Sequence, residues 1–188
     1  MVAAAVVLSR PLKGVRIDDS KRLSPRQRER ACRAIFAHAD VGIGIRSARE
    51  IDRDNILRAT LAAMADAVAD LPTPPSLVLV DGLQVPPLAM PARALVHGDQ
   101  RDALIACASI IAKVVRDRLM AFYHQLWPAY AFDQHKGYGT PEHLARLRRW
   151  GACCMHRHSF APVHALQGGG GARPVSEQPG AVDAVVAA

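Results

Sequence analysis

The sequence predicts an α/β domain in which helices pack on a mixed sheet. Short apolar runs of strand length alternate along the chain with segments whose apolar residues recur at helical spacing. One of those runs, LVLV at 77–80, is unbroken by polar residues, as in strands buried on both faces. Two of the strands run straight into an aspartate beside a glycine, at the strand ends where α/β sheets place their sites. A length of 188 residues suits one core.

VAAAVVL (2–8), bounded by Ser9-Arg10-Pro11, reads as a buried strand. Ser24-Pro25-Arg26-Gln27 is a capping-box pattern with proline at the first helical position, and it opens a helix over 25–38. VGIGI (41–45) alternates as a strand with glycine on one face. Ser47 to Glu50 forms a second capping box and a short helical turn. From Asp54, residues Leu57, Leu61, Met64, Val68 and Leu71 mark one apolar helix face, which Pro72, Pro74 and Pro75 terminate. After LVLV, a strand over 93–97 leads into Gly98-Asp99. A long helix follows, with Leu104, Ala108, Ile111, Val115, Leu119, Phe122 and Leu126 inward and Ser109, Lys113 and Asp117 on the other face, up to Trp127-Pro128. HKGYGT is a loop, and Thr140-Pro141 caps a final basic helix ending near Gly151. The expected division is a domain over 1–166 and a flexible Gly-rich tail over 167–188.

Half of the residues are apolar, which excludes wholesale disorder. Lys and Arg number 24 against 17 Asp and Glu, a formal charge of +7. The tail carries Arg173 against Glu177 and Asp183, so the positive charge lies on the domain and a polyanion, nucleic acid first, is the expected partner. No apolar run approaches the roughly 18 to 20 residues that span a bilayer, and VAAAVVL lacks the charged lead of a secretory signal. Cys32, Cys107, Cys153 and Cys154 make no disulfide framework. A cytoplasmic monomer is expected. Of the 24 basic residues only Lys13, Lys21, Lys113 and Lys136 are lysines, each a candidate position for a compact ammonium that arginine does not replace.

Asp81 and Asp99 follow predicted strands in an otherwise basic protein. Carboxylates that hold Mg²⁺ or Mn²⁺, ringed by cations that hold a polyanion, are what phosphodiester chemistry requires. Taken singly, Asp81 also fits a turn residue and Asp99 a helix-entry cap, and spacing alone leaves both readings open. Spacing favours a solvated loop for Asp18-Asp19-Ser20-Lys21. Ser109 and Lys113 stand four apart inside a helix, unlike the Ser-x-x-Lys pattern of hydrolases. Cys153, Cys154, His156 and His158 suit packing and solvent better than zinc, because adjacent cysteines do not easily share one tetrahedral ion. Tyr138, between glycines and beside His135 and Lys136, suits stacking on a nucleotide sugar or base.

Six segments, DDSKRLSPRQRE, EIDRDNILRATLAAM, LVLVDG, HGDQRDALIACASIIAKVVRDRLM, HKGYGTPEHLARL and HRHSFAPV, resemble the ribonuclease HII family in order and spacing over residues 2 to about 164. The resemblance implies a ribonuclease H-like mixed sheet, Mn²⁺ or Mg²⁺ as cofactor, and cleavage of RNA in RNA-DNA hybrids and on the 5′ side of ribonucleotides embedded in duplex DNA. It implies that Asp81 and Asp99 are metal-binding catalytic carboxylates and that Tyr138 packs at the ribonucleotide-deoxyribonucleotide junction. It places Lys21 in a motif close to the substrate, with Ser20, Lys113, His135 and Lys136 as further expected substrate contacts.

The family also begins with a strand ending in an Asp-Glu pair and a Gly-Arg-Gly loop, which supply two of four carboxylates and part of the junction contact. This sequence contains neither: Met1 aligns with the family's second strand, where valine is common. His97 stands where lysine is usual, and Leu83 where asparagine is common. In the family fold the first strand lies centrally, between the second strand and the one ending in Asp81. Unpaired buried amides cost roughly 1 to 3 kcal/mol each, against a typical stability of about 5 to 15 kcal/mol, so the chain as written is expected to be marginally stable. A start codon placed too far downstream and a shortened gene both account for this. The alternative function is an inactive relic that only binds hybrid or duplex nucleic acid; an in-frame Asp-Glu and Gly-Arg-Gly upstream of Met1 supports the enzyme, and an in-frame stop the relic. A basic adaptor of unknown ligand is a third reading, which six ordered motifs disfavour.

Overall fold

The computed structural model describes residues 1–167, and the expected tail beyond Gln167 lies outside them. The chain divides into two compact units, Met1–Arg116 and Asp117–Ala188, the second described as far as Gln167.

In the first unit, β1 (Val2–Leu8) pairs antiparallel with β2 (Ala39–Ile45), Val2 opposite Ile45 and Leu8 opposite Ala39. The period of two along β1 explains its continuous apolar run. Ala3 and Ala5 pack with Ala63 and Ala67 on one face, while Ala4 and Val6 pack with Ile35, Ile110, Ile111 and their neighbours on the other. α1 (Pro25–His38) has the bounds that its caps predict. The Ser24 hydroxyl accepts from the Gln27 amide and the Gln27 side chain accepts from the Ser24 amide. Ser24→Ala is expected to cost about 1 kcal/mol, read as a lower urea midpoint with an unchanged slope; an unchanged midpoint would show that the cap adds nothing.

α2 (Ala48–Asp54) opens on the Ser47–Glu50 capping box, and Asn55 caps α3 (Ile56–Ala69). The expected apolar face of α3 is corrected in part: Val68 and Leu71 are buried as expected, but Leu57 is exposed and Ala59, Ala63 and Ala67 form the rest of the buried face. The cause lies in β2. A Cβ on Gly42 would fall on the Ala67 carbonyl oxygen, and one on Gly44 on that of Ala63, so glycine brings helix and strand backbones together and only small side chains fit between them.

β3 (Val78–Asp81) and β4 (Ala92–Leu95) form a parallel pair with Asp81 opposite Leu95. Antiparallel and parallel pairing are thus both present, in two separate two-stranded sheets among the described residues. A short α4 (Gly98–Arg101) precedes α5 (Ala103–Leu126). The inward face of α5 is Ile105, Ala106, Cys107, Ile110, Ile111 and Val114, rotated from the expected one, since Leu104 and Phe122 are exposed.

The second unit has its own core of Tyr130, Phe132, Leu147 and Val163. It contains α6 (Phe132–His135), α7 (Pro141–Trp150), capped by Thr140 as expected, and α8 (Ala161–Gln167). The last of these corrects the reading of α7 as the final helix. Pro162 falls within the first turn of α8, where proline is tolerated.

Candidate active site

The acidic site of the first unit is built at the end of the parallel pair. Asp81 closes β3, and the Gly82 amide continues the ladder to the Leu95 carbonyl oxygen at 3.0 Å. Beyond β4 the chain turns through His97, at φ 54°, and the Gly98 amide donates to Asp81 Oδ1 at 2.8 Å. A side chain on Gly98 would press on Ile105, so glycine admits this close approach. Asp81 is an exposed strand-end carboxylate with one oxygen oriented by the backbone.

Asp99 is only 8% exposed. Burial raises its pKa above the ordinary carboxylate value, and the negative charges of Asp81 and Asp19 raise it further, against the opposing pull of Lys21 and His97. A group whose folded pKa is raised costs nothing below its unfolded value, and the fold loses stability as pH rises through the interval between the two values. Asp99→Asn is therefore expected to stabilise the cation-free protein at pH 7 and to have little effect below the carboxylate range. Urea titrations at the two pH values check this; a destabilised variant at pH 7 would show that the charge is compensated in the fold.

Asp19 is the member of this group that sequence reasoning missed. Spacing favours a solvated loop for Asp18 to Lys21, but Asp19 and Ser20 are buried. Arg28 pins the segment by donating to the Ser20 and Leu23 carbonyl oxygens at 2.9 and 2.6 Å, and the Ser20 hydroxyl meets that of Ser109 at 3.0 Å. Asp19 Oδ1 accepts from the Lys21 amide at 2.9 Å, and Gln100 Nε2 donates to its Oδ2 at 3.5 Å. The available signal was a second carboxylate directly before the Ser-Lys pair. Lys113 is half-buried on α5.

The donor set is hard carboxylate oxygen, suited to Mg²⁺ or Mn²⁺. A divalent cation would relieve the mutual repulsion that disfavours ionised Asp99, so Asp81 and Asp99 fit such an ion in charge and donor type. Among the described residues no group of three or more His, Cys, Asp or Glu is arranged to hold a metal ion.

In the second unit, Tyr138 is 56% exposed at the tip of the HKGYGT loop. His135 is buried, with Nε2 at 2.7 Å from the Tyr130 carbonyl oxygen and Nδ1 accepting from the Gly137 amide at 3.1 Å. Its ring nitrogens are thus engaged within the chain. Lys136, in the left-handed region at φ 51°, donates to the Asp133 carbonyl oxygen at 2.6 Å. His143 and His156 are buried behind the loop, and Cys153 Sγ lies 3.2 Å from His156 Nδ1. Cys154 and His158 are exposed.

The sequence profile of the ribonuclease HII family matches residues 1–163. Ribonuclease HII of Maricaulis maris is 54% identical over 168 residues, covering 88% of this chain and 76% of the relative. Ribonuclease HII of Thermotoga petrophila is 51% identical over 166 residues, covering 88% and 68%. Among solved structures, the ribonuclease H2 from Pyrococcus horikoshii OT3 superposes with a TM-score of 0.67 at 19% identity, over 89% of this chain and 98% of that one. The PCNA:RNase HII complex from Archaeoglobus fulgidus gives 0.69 at 23%, over 85% and 86%. At those identities the structures speak for the fold, and the sequence identity speaks for descent. With half of its residues shared over nearly nine-tenths of its length, and the same fold, the chain belongs to the ribonuclease HII family.

Proposed function

We propose that this chain is an endoribonuclease that hydrolyses RNA in RNA-DNA hybrids and incises on the 5′ side of ribonucleotides embedded in duplex DNA. The observation that carries this reading is the buried Asp99 carboxylate, its pKa raised by burial and by Asp81 and Asp19 at the end of the parallel strands. Mg²⁺ or Mn²⁺, when bound, supplies an activated water and neutralises charge on the leaving 3′-oxygen. The chain's own residues prepare that chemistry. Gly98 orients Asp81, the fold holds Asp99 among carboxylates whose repulsion favours cation binding, and Lys21 lends positive charge beside them. Tyr138 offers an exposed ring to the sugar at the junction, where the 2′-hydroxyl distinguishes RNA from DNA. Residues 1–166 carry this function, acting as a monomer in the cytoplasm, a compartment in which its four free thiols persist.

The test is a labelled DNA duplex containing one ribonucleotide, incubated with Mg²⁺ or Mn²⁺ and mapped at nucleotide resolution. A single cut immediately 5′ of the ribonucleotide, leaving a 3′-hydroxyl and a 5′-phosphate, is the expected product. Binding without any cleavage, in a polypeptide that also carries the family's leading strand, would replace this reading with that of a non-catalytic binder.

A further inference from the structure

The second unit contains three buried histidines whose hydrogen bonds admit one arrangement of protons. The Tyr138 carbonyl can only accept, so His143 Nδ1, 2.9 Å away, carries a hydrogen. A neutral His143 then has a bare Nε2. That atom lies 3.1 Å from His156 Nε2, which must carry the hydrogen between them. His156 is left with a bare Nδ1, and the Cys153 amide donates to it at 3.1 Å. The third ring, His135, stacks on His143 with centroids 4.1 Å apart and planes 15° apart, and accepts the Gly137 amide. All the rings lie neutral in this arrangement. Burial pushes His156 down to about 4 and lowers His143 as well, and the neighbouring histidines, His158 included for His156, act in the same direction.

Both ends of this arrangement that reach the HKGYGT loop do so through backbone atoms. His143 takes the Tyr138 carbonyl and His135 the Gly137 amide, in a stretch where Lys136 and Gly137 both have positive φ. We infer that His143 and His156 are positioning residues for Tyr138: a directional chain of hydrogen bonds from the Cys153 amide through His156 and His143 holds the Tyr138 carbonyl and thereby aims its exposed ring at a nucleotide. This deepens the proposed function and rests on it for the role of the ring. Simple packing would need the volume of these side chains but no particular tautomer.

The test separates the two. In the full chain at pH 7, long-range ¹⁵N correlation spectra should show His143 protonated at Nδ1 and His156 at Nε2. The opposite tautomers, or a charged ring, would overturn the inference without recourse to any variant. His143→Phe keeps a ring against His135 but removes both nitrogens, and it should speed amide exchange at Gly137, Tyr138 and Thr140 at least tenfold. His143→Asn, whose amide can still donate to the Tyr138 carbonyl, should restore much of that protection. Junction cleavage should fall about tenfold in His143→Phe with plain-duplex affinity within twofold, and the same substitution should cost less than twofold when Tyr138 is already alanine. Equal losses in both backgrounds, or unchanged exchange, overturn the positioning role. Tautomers and exchange as expected in a polypeptide that also carries the family's leading strand and still cuts no substrate support it and overturn the nuclease reading instead.

Discussion

Asp81→Asn is expected to lower the rate of hybrid cleavage by about three orders of magnitude, while affinity for the hybrid stays within about twofold. The substitution is nearly isosteric and leaves an oxygen to accept the Gly98 amide, so the turn between β4 and α4 keeps its shape. What it removes is one negative charge and a hard ligand from the acidic group formed with Asp99 and Asp19. A divalent ion that relied on Asp81 would lose one of its anionic ligands in this way, and the stabilisation of the leaving oxygen that depends on it is worth several kcal/mol, or roughly a thousandfold in rate. The substitution touches none of the basic residues expected to contact phosphates, so binding should persist. Parent and variant are compared under single-turnover conditions in a polypeptide that also carries an Asp-Glu strand ahead of Met1, so that all the carboxylates implied for the family are present in both. Cleavage within tenfold of the parent would reduce Asp81 to a turn residue. The opposite effects expected for Asp99, a gain of stability together with a loss of activity on changing to asparagine, would mark a group held against its own electrostatic preference for the sake of chemistry.

The features that local chemistry dictates were legible in the sequence. α1 begins where Ser24 and Pro25 predict and ends ahead of the VGIGI strand, because a capping box is satisfied within four residues and needs no tertiary partner. The buried face of α3 was not legible in the same way. Leucine periodicity favours one face, but a backbone approach permitted by Gly42 and Gly44, far away in the chain, rotates the buried face onto Ala59, Ala63 and Ala67 while Val68 and Leu71 stay inside. The site shows the same division. Asp81 and Asp99 stand out by their position at strand ends, whereas the burial of Asp19 depends on Arg28 and Ser109, which no spacing rule connects to it. His143 and His156 are 13 residues apart in two different motifs, and only the fold brings their ring nitrogens to 3.1 Å. α8 escaped notice because HRHSFAPVHALQ has too few apolar residues at helical spacing to signal a helix, and its Val163 is the only buried side chain among the described residues of α8.

Tyr138→Ala is expected to reduce cleavage at a single embedded ribonucleotide tenfold or more while barely changing the affinity for plain duplex. Tyr138 is more than half exposed and is not part of the second unit's core of Tyr130, Phe132, Leu147 and Val163, so its removal leaves that core intact. The loop backbone remains held by His143 and His135. What is lost is the aromatic ring proposed to meet the nucleotide, and a stacking contact of that kind is worth about 1 to 3 kcal/mol. Sequence-independent affinity comes mostly from phosphate contacts, which an uncharged ring does not make, so duplex binding should not follow the loss of cleavage. Tyr138→Phe separates face from hydroxyl: if the ring face packs on the sugar, phenylalanine retains much of the activity, and if the hydroxyl is the reader, it falls with alanine. Junction cleavage and duplex affinity measured side by side for both variants decide the matter. An alanine variant that cuts at the parental rate would show that the ring serves only its loop, and a parallel fall in duplex affinity would make Tyr138 a general binding residue rather than a reader of the junction.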